Sequence, residues 1–292
     1  MTRPAPAVVA IGGGHGLART LGAARRYAGR LWGVVSVADD GGSSGRLRQA
    51  LGIPAPGDLR RCLGALLPEG SPMGNALEHR FPGELDHHGF GNLLLGALAA
   101  ERGGFAEGVA RACQLLQTVG ELFPATNEAV VLRARTAAGA SVRGQVAVMS
   151  VGGVEAVALD PPGATTPPGA LAAIGQADQI VLGPGSLFTS VLACLAAAEL
   201  AAAVAAASAT VVYVCNLAEQ HPETAGFDAG MHLDALVAHG VVPDVMLVER
   251  GGLALGSPAD ATRVVEASLT VPGRPQVHDE ALLGAALAAL AG

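Results

Sequence analysis

The feature that most constrains the fold is a short apolar run that passes directly into a glycine-rich turn. Residues 7–11 form the run, and residues 12–16 form the turn. Short apolar runs bounded by glycine are typical of buried strands, and an amphipathic segment after such a turn is typical of a helix. The alternation recurs, with further strands predicted at 32–38, 179–182, 210–215 and 244–248. The sequence therefore predicts an α/β fold with a Rossmann-like, doubly wound and mostly parallel sheet.

Composition agrees with such a fold. Half of the 292 residues are apolar and only 3% are aromatic, so valine, leucine, isoleucine and alanine must fill the core. The formal net charge of −7 argues against nucleic acid as the main partner. Local arginines and helix N-termini could still bind a small anion. The four cysteines lack the spacing of a zinc site or a disulfide framework, and we expect them to be buried.

Only one stretch resembles a membrane span, at residues 190–214. Alanine dominates it, and alanine contributes little free energy to membrane insertion. Its second half resembles a buried strand, so a helix followed by a strand is the better interpretation. The first apolar run is too short for a signal peptide. We expect a cytoplasmic protein that has no membrane partner.

The middle of the chain changes character and predicts an insertion. Residues 129–136 and 142–150 are expected to pair as a hairpin, with a third strand at 154–159. They lie within a β-rich insertion at about 125–165. Neither an internal repeat nor a long linker divides the chain, so residues 1–292 are predicted to form one domain. The predicted helices follow the turn at 12–16 and cover 46–51, 58–67, 92–100, 105–119, 186–205, 229–239 and 279–291.

The first glycine turn has the features of a phosphate-binding loop. Glycines allow a ligand to approach the backbone, and the N–H groups of the following helix face an anion. Leu17 stands where the dinucleotide fingerprint requires its last glycine, so the turn alone indicates a dinucleotide only weakly. A tight structural turn without a ligand is the alternative. The candidate ligand-binding residues here are Gly12, Gly13, Gly14, His15 and Gly16.

The second strand ends in a dense set of polar residues. Asp39 and Asp40 could accept hydrogen bonds from ribose hydroxyls, or together coordinate Mg²⁺, the one cofactor that the sequence suggests. Ser43, Ser44 and Arg46 can donate to phosphate oxygens. The alternative is a serine-rich loop that caps a surface helix.

These residues belong to an ordered series of motifs. Segments 12–17 and 37–48 read Gly-Gly-Gly-His-Gly-Leu and Val-Ala-Asp-Asp-Gly-Gly-Ser-Ser-Gly-Arg-Leu-Arg. Further motifs follow at 56–60, 91–95, 182–190 and 214–217. In this order the chain resembles the YvcK (gluconeogenesis factor) branch of the CofD-like family. The resemblance implies a Rossmann-like cytoplasmic protein that binds a uridine-diphosphate sugar, typically UDP-N-acetylglucosamine. It also implies a role in carbon metabolism, cell-wall synthesis and cell shape.

The later motifs add further candidate ligand-binding residues. A second glycine turn after the strand at 179–182 could hold a diphosphate, although Ser186 could equally be a plain helix cap. Asn92 could contact a base or sugar, or cap its own helix. His88 is expected to be structural or solvated and not a metal ligand. The further candidates are Asp58, Arg60, Asn92, Gly183, Gly185, Ser186, Thr189, Asn216, Gln220, Glu223 and Thr224.

The chain departs from the family pattern at a few positions. His221-Pro222 replaces a Pro-Gly turn, which puts the conformation of that loop in doubt while the carboxamide and carboxylate side chains remain. Glu121 stands where the family often has arginine, so one phosphate contact could be lost.

Three functions compete. The favoured one is a regulator that binds a nucleotide sugar, or another nucleotide diphosphate, and acts through a protein partner. The second is a CofD-type transferase that moves a phospholactyl-like group from a nucleotide diphosphate to a deazaflavin, which requires an apolar or aromatic pocket for a flat ring. The third, a nicotinamide-dependent oxidoreductase, rests only on the glycine turn and Asp39. Homo-oligomer formation, the exact sugar and any turnover are left open.

Overall fold

A seven-stranded parallel sheet forms the centre of the molecule in a computed structural model, which describes residues 4–83, 87–258 and 261–291. Helices flank the sheet, as predicted for a Rossmann-like α/β protein. The main-sheet strands, in chain order, are β1 (Ala7–Gly12), β2 (Arg30–Val35), β3 (Glu121–Pro124), β7 (Gln179–Leu182), β8 (Thr210–Val214), β9 (Val245–Glu249) and β10 (Arg263–Ala267).

Strand order places the two halves of the chain on opposite sides of β1. The order is β10-β9-β8-β7-β1-β2-β3, and each neighbouring pair is parallel. The chain moves outward from β1 to β3 and later returns to β7 on the other side of β1. In such sheets a crevice opens at the carboxyl ends of the strands where the direction of winding changes. That point lies between β1 and β7.

Helices cover both faces of the sheet, and small residues allow them to pack closely. A Cβ atom added to Gly284 would lie 2.8 Å from the carbonyl oxygen of Ala23. The helices that contain these two residues therefore approach each other closely enough for their backbones to be in contact. All four cysteines are buried, as expected. The helices are α1 (Gly14–Ala24), α2 (Gly42–Leu51), α3 (Gly57–Leu66), α4 (Met73–Glu78), α5 (Phe90–Arg102), α6 (Phe105–Leu116), α7 (Gln145–Met149), α8 (Pro168–Gly175), α9 (Leu192–Leu195), α10 (Ala198–Ala205), α11 (Ala229–Ala238) and α12 (Glu280–Leu290).

The insertion is a three-stranded antiparallel sheet of order β5-β4-β6, formed by β4 (Val131–Thr136), β5 (Ser141–Arg143) and β6 (Val154–Asp160). The hairpin prediction is confirmed, but the predicted strand at 142–150 is wrong beyond Arg143. Gly144 has a φ of 103°, which interrupts the strand, and α7 follows. Asp40 accepts a hydrogen bond from the Val146 amide in the first turn of α7 and so satisfies one of its free donors.

The predicted helix at 186–205 is interrupted. A π-helical turn at Leu187–Val191 continues into α9, and α10 then leaves at an angle of 82°. Within the described part of the chain, no single helix is long and apolar enough to cross a membrane. This bent pair passes that test on length and composition alone.

Two regions of strand were not predicted. Strand β3 has only four residues, too few for a clear alternating pattern. Strand β10 and the hairpin of β11 (Thr270–Val271) and β12 (Arg274–His278) contain many exposed and charged residues. The hairpin crosses from the end of β10 to the start of α12 and forms part of the site below.

Candidate functional site

The two predicted glycine turns meet at the carboxyl ends of β1 and β7. A Cβ atom on Gly16 would lie 2.1 Å from the carbonyl oxygen of Pro184, so only glycine allows this approach. The Thr20 hydroxyl donates to the carbonyl oxygen of Gly183 at 2.7 Å and links the turns further. Gly183 has a φ of 73°, a conformation that glycine adopts without strain. The tertiary structure thus joins two motifs that lie about 170 residues apart into one crevice.

Asp58 lies directly beneath the first turn. Its carboxylate accepts a hydrogen bond from the Gly14 amide and pairs with the Arg61 guanidinium at 2.7 Å. A Cβ atom on Gly13 would lie 2.6 Å from Oδ2 of this aspartate. Burial, and then the charge of Asp39, raise the pKa of Asp58 to about 6. Asp58 therefore supports the turn from below.

The crevice contains two adjoining cavities of about 630 and 350 Å³. They share His15, Gly16, Gln276 and His278 in their walls. Predicted residues supply only part of the lining, namely His15, Gly16, Gly185, Asn216 and Gln220. The residues that sequence reasoning missed are Arg19, Arg61, Glu78, Gln276, His278 and Glu280. The last three come from the hairpin and α12, where the sequence signalled only the start of a helix.

Two histidines in the crevice favour the neutral state. His15 lies in the first turn of α1, and burial together with the nearby Arg61 lowers its pKa. His278 is 8% exposed, and burial lowers its pKa to about 4. Neutral imidazoles can donate one hydrogen bond and accept another, which suits recognition of hydroxyl or carbonyl groups.

In the second turn, the hydrogen-bond donors that were predicted to bind a ligand donate to a protein carboxylate instead. The amides of Phe188 and Thr189 donate to Oε1 of Glu223 at 2.9 and 3.0 Å, and the Ser186 hydroxyl donates to Oε2. Glu223 is 3% exposed, so it caps this helical turn from inside the protein. Thr224, also buried, braces the same loop: its hydroxyl accepts a hydrogen bond from the Gln220 amide.

The two aspartates after β2 point to different neighbours. Asp40 accepts from the Val146 amide at 3.0 Å, whereas Asp39 accepts from the Gly41 amide at 2.9 Å and lies near Asp58. The two carboxylates are therefore held by different backbone amides. Among the described residues, no group of three or more His, Cys, Asp or Glu side chains could hold a metal ion.

Three of the remaining predicted residues, Ser43, Asn92 and Arg60, form a buried polar cluster. Ser43 bonds to His88 Nδ1 at 2.9 Å and accepts from Asn92 at 3.0 Å, where the first turns of α2 and α5 converge. His88, expected to be structural or solvated, is partly buried at this contact. Arg60, 2% exposed, completes this cluster and pairs with Glu78 at 2.8 Å.

Glu78 connects the polar cluster to the crevice because it also lines the larger cavity. Ser44 is buried beside Gly57, and Arg46 lies on the exposed side of α2. The predicted site residues are thus divided between the crevice, the loops that support it, the buried cluster and, for Arg46, the exposed side of α2.

Comparisons with known proteins point to one family. The CofD family, described as 2-phospho-L-lactate transferase CofD, matches residues 8–265. A gluconeogenesis factor of Halalkalibacterium halodurans is 38% identical over 246 residues, which cover 82% of this chain and 76% of that protein. A Deinococcus radiodurans protein, provisionally named a gluconeogenesis factor, is 40% identical over 270 residues and 90% of this chain. This chain spans 57% of the length of that relative.

A solved structure has the same fold over nearly its whole length. It is a Bacillus halodurans protein described as a member of the UPF0052 family, with a TM-score of 0.89 and 32% sequence identity. The match covers 98% of this chain and 99% of that one.

Proposed function

Because this chain belongs to the CofD family, in the branch of the gluconeogenesis factors, we propose that it is a regulatory factor that binds a nucleotide sugar of the UDP-N-acetylglucosamine type. The crevice between β1 and β7 is the observation that carries this proposal. Its cavities, about 630 and 350 Å³, have the size of small-molecule sites. The first turn of α1 borders both cavities and offers backbone N–H groups to a diphosphate.

The lining of the smaller cavity suits a polar, uncharged sugar and base better than a flat apolar cofactor. The smaller cavity contains carboxamides from Asn216, Gln220 and Gln276. The larger one combines arginine and glutamate side chains, which hydrogen-bond to hydroxyl groups. None of the described residues that line either cavity is Phe, Tyr or Trp.

Calorimetric titration tests this proposal. UDP-N-acetylglucosamine should bind at least about tenfold more tightly than GDP or NAD, since one or two well-placed hydrogen bonds to uracil or sugar are worth that factor. Equal affinity for all three, or none for the nucleotide sugar, would reject it.

The wider role rests on the family. As a regulator, the protein would sense a nucleotide sugar in the cytoplasm and act on carbon metabolism, cell-wall synthesis and cell shape through a protein partner. The oxidoreductase alternative rests only on the glycine turn and Asp39, and we do not propose it.

A CofD-type transferase is the second candidate, and one further cavity favours it. A cavity of about 430 Å³ beside α4 is lined by His79, Phe81 and Phe90. The rings of His79 and Phe81 pack edge to face. A planar deazaflavin could occupy such a site. The test is incubation with a deazaflavin and a nucleotide-diphosphate phospholactyl donor, followed by mass spectrometry for the phosphorylated product.

A further inference from the structure

Two side-chain amides form a chain of hydrogen bonds that runs from the second glycine turn into the smaller cavity. The Gly185 backbone N–H donates to Oδ1 of Asn216 at 3.2 Å. Nδ2 of Asn216 then donates to Oε1 of Gln220, also at 3.2 Å. All three residues line the smaller cavity.

The backbone amide fixes the direction of this chain. A peptide N–H can only donate, so Asn216 must turn its oxygen toward Gly185. Its NH₂ group then faces Gln220 and requires an acceptor there, which is the Gln220 oxygen. Gln220 is left with its NH₂ group for the cavity. The orientation of both carboxamides follows from this hydrogen-bond network.

The rest of the loop holds Gln220 in place. Its backbone N–H donates to the Thr224 hydroxyl at 2.9 Å, and its carbonyl accepts from the Thr224 amide at 2.7 Å. Thr224 is fully buried. Within residues 4–83, 87–258 and 261–291, Nε2 of Gln220 meets no hydrogen-bond acceptor, so its donor capacity remains for a bound molecule.

We propose that Gln220 is a specificity-determining residue that donates a hydrogen bond to an acceptor atom of the ligand. This inference rests on the proposed nucleotide-sugar function and specifies which group of the ligand the smaller cavity recognises. The acceptor is the 4-carbonyl oxygen of a uracil-type base or an oxygen of the diphosphate. An amino group at that position is disfavoured because two donors would face each other.

UDP and CDP separate the two sources of the acceptor. Their phosphates and riboses are identical, but uracil carries a carbonyl where cytosine carries an amino group. Titration calorimetry on the full chain gives the affinity for each. If Gln220 reads the base, UDP should bind about tenfold more tightly than CDP. If it reads the diphosphate, the two should bind alike, and Gln220→Glu should weaken both about tenfold or more.

Asn216→Asp tests the chain of hydrogen bonds itself. The carboxylate still accepts from Gly185 but cannot donate to Gln220, so Gln220 should rotate its NH₂ group toward position 216 and offer its oxygen to the cavity. A base-reading site should then lose its preference for UDP over CDP, and a diphosphate-reading site should bind both more weakly.

Gln114→Glu is the matched control, because it makes the same substitution at an exposed position on α6, outside the lining of both cavities. It should leave the ratio of UDP to CDP affinity as in the wild type. It should also weaken binding less than Gln220→Glu does.

The outcomes separate this inference from the function on which it rests. If UDP-N-acetylglucosamine and UDP bind the wild type but Gln220→Glu and Asn216→Asp leave both affinities and their ratio unchanged, Gln220 is not the reading residue and the inference fails alone. Equal effects of Gln220→Glu and Gln114→Glu would also overturn it. If neither UDP compound binds the wild-type chain, both proposals fail.

Discussion

Two buried carboxylates support the two glycine turns. Asp58 accepts from the Gly14 amide, and Glu223 accepts from the Phe188 and Thr189 amides. Each therefore accepts hydrogen bonds at the start of a helical segment, where the helix dipole favours negative charge. The Asp58 carboxyl is buried and close to Asp39, and these effects outweigh the attraction of Arg61, so its pKa rises. Ionisation of the Asp58 carboxyl therefore lowers the free energy of unfolding.

The pH dependence of stability should reveal this cost. The folded chain keeps the Asp58 proton up to a pH of about 6, whereas the unfolded chain releases it near the ordinary aspartate pKa of 3.8. Stability is therefore greatest below the unfolded pKa and falls as pH rises through the folded value. Relative to Asp58→Asn, the wild type should lose about 2–3 kcal/mol of unfolding free energy between pH 4 and pH 7.

Urea denaturation at several pH values measures this difference. Asp234→Asn, at an exposed position on α11, is the control and should follow the wild-type profile. Parallel profiles for wild type and Asp58→Asn would show that Asp58 titrates normally.

At the scale of elements, the helical turn after β7 depends on a distant residue. Phe188 and Thr189 are 1% exposed, so their amides need an acceptor within the protein. Glu223 reaches them from the loop after β8, 34 to 35 residues further along the chain. The turn and the loop that carries Gln220 are thereby held together.

Removing this acceptor should destabilise the protein. Glu223→Ala leaves two buried amides unpaired and should lower the free energy of unfolding by about 3 kcal/mol, whereas Glu223→Gln keeps one acceptor and should cost about 1 kcal/mol. Chemical denaturation provides the measurement. The control is Glu219→Gln in the exposed part of the same loop. Wild-type stability of the alanine variant would refute a capping role.

At the scale of the whole molecule, the insertion is tied to the carboxyl edge of the main sheet through α7. Asp40, in the loop after β2, accepts from the Val146 amide, and Nε2 of Gln145 donates to the carbonyl oxygen of Thr189 at 2.7 Å. One short helix thus contacts the loops after both β2 and β7.

Hydrogen–deuterium exchange can test this attachment. Asp40→Ala removes the cap of α7, worth about 1 kcal/mol, so the amides of residues 145–149 should exchange about fivefold faster. Strands β1 and β7 should be unaffected. Asp40→Asn keeps an acceptor and should stay close to the wild type. Unchanged exchange in the alanine variant would mean that other contacts hold α7.

The sequence predicted most elements because their patterns are local. The turn at 12–16, strand β7 and helix α12 each follow from apolar periodicity and capping within about ten residues. The strand expected at 142–150 failed for the opposite reason. Its apolar residues suit either structure, and the choice of helix depends on Asp40, about a hundred residues away.

The sequence by itself determined the α/β class, the two glycine turns and the family to which they belong. Only the tertiary structure decided how the site is assembled. It gave Asp39 and Asp40 different hydrogen-bond partners and placed the Glu223 carboxylate against the amides of the second turn. It also brought Gln276 and His278 from the last hairpin into the wall of the crevice. The physical reason is strand order: which loops meet at one edge of a sheet depends on long-range packing, which local patterns do not encode.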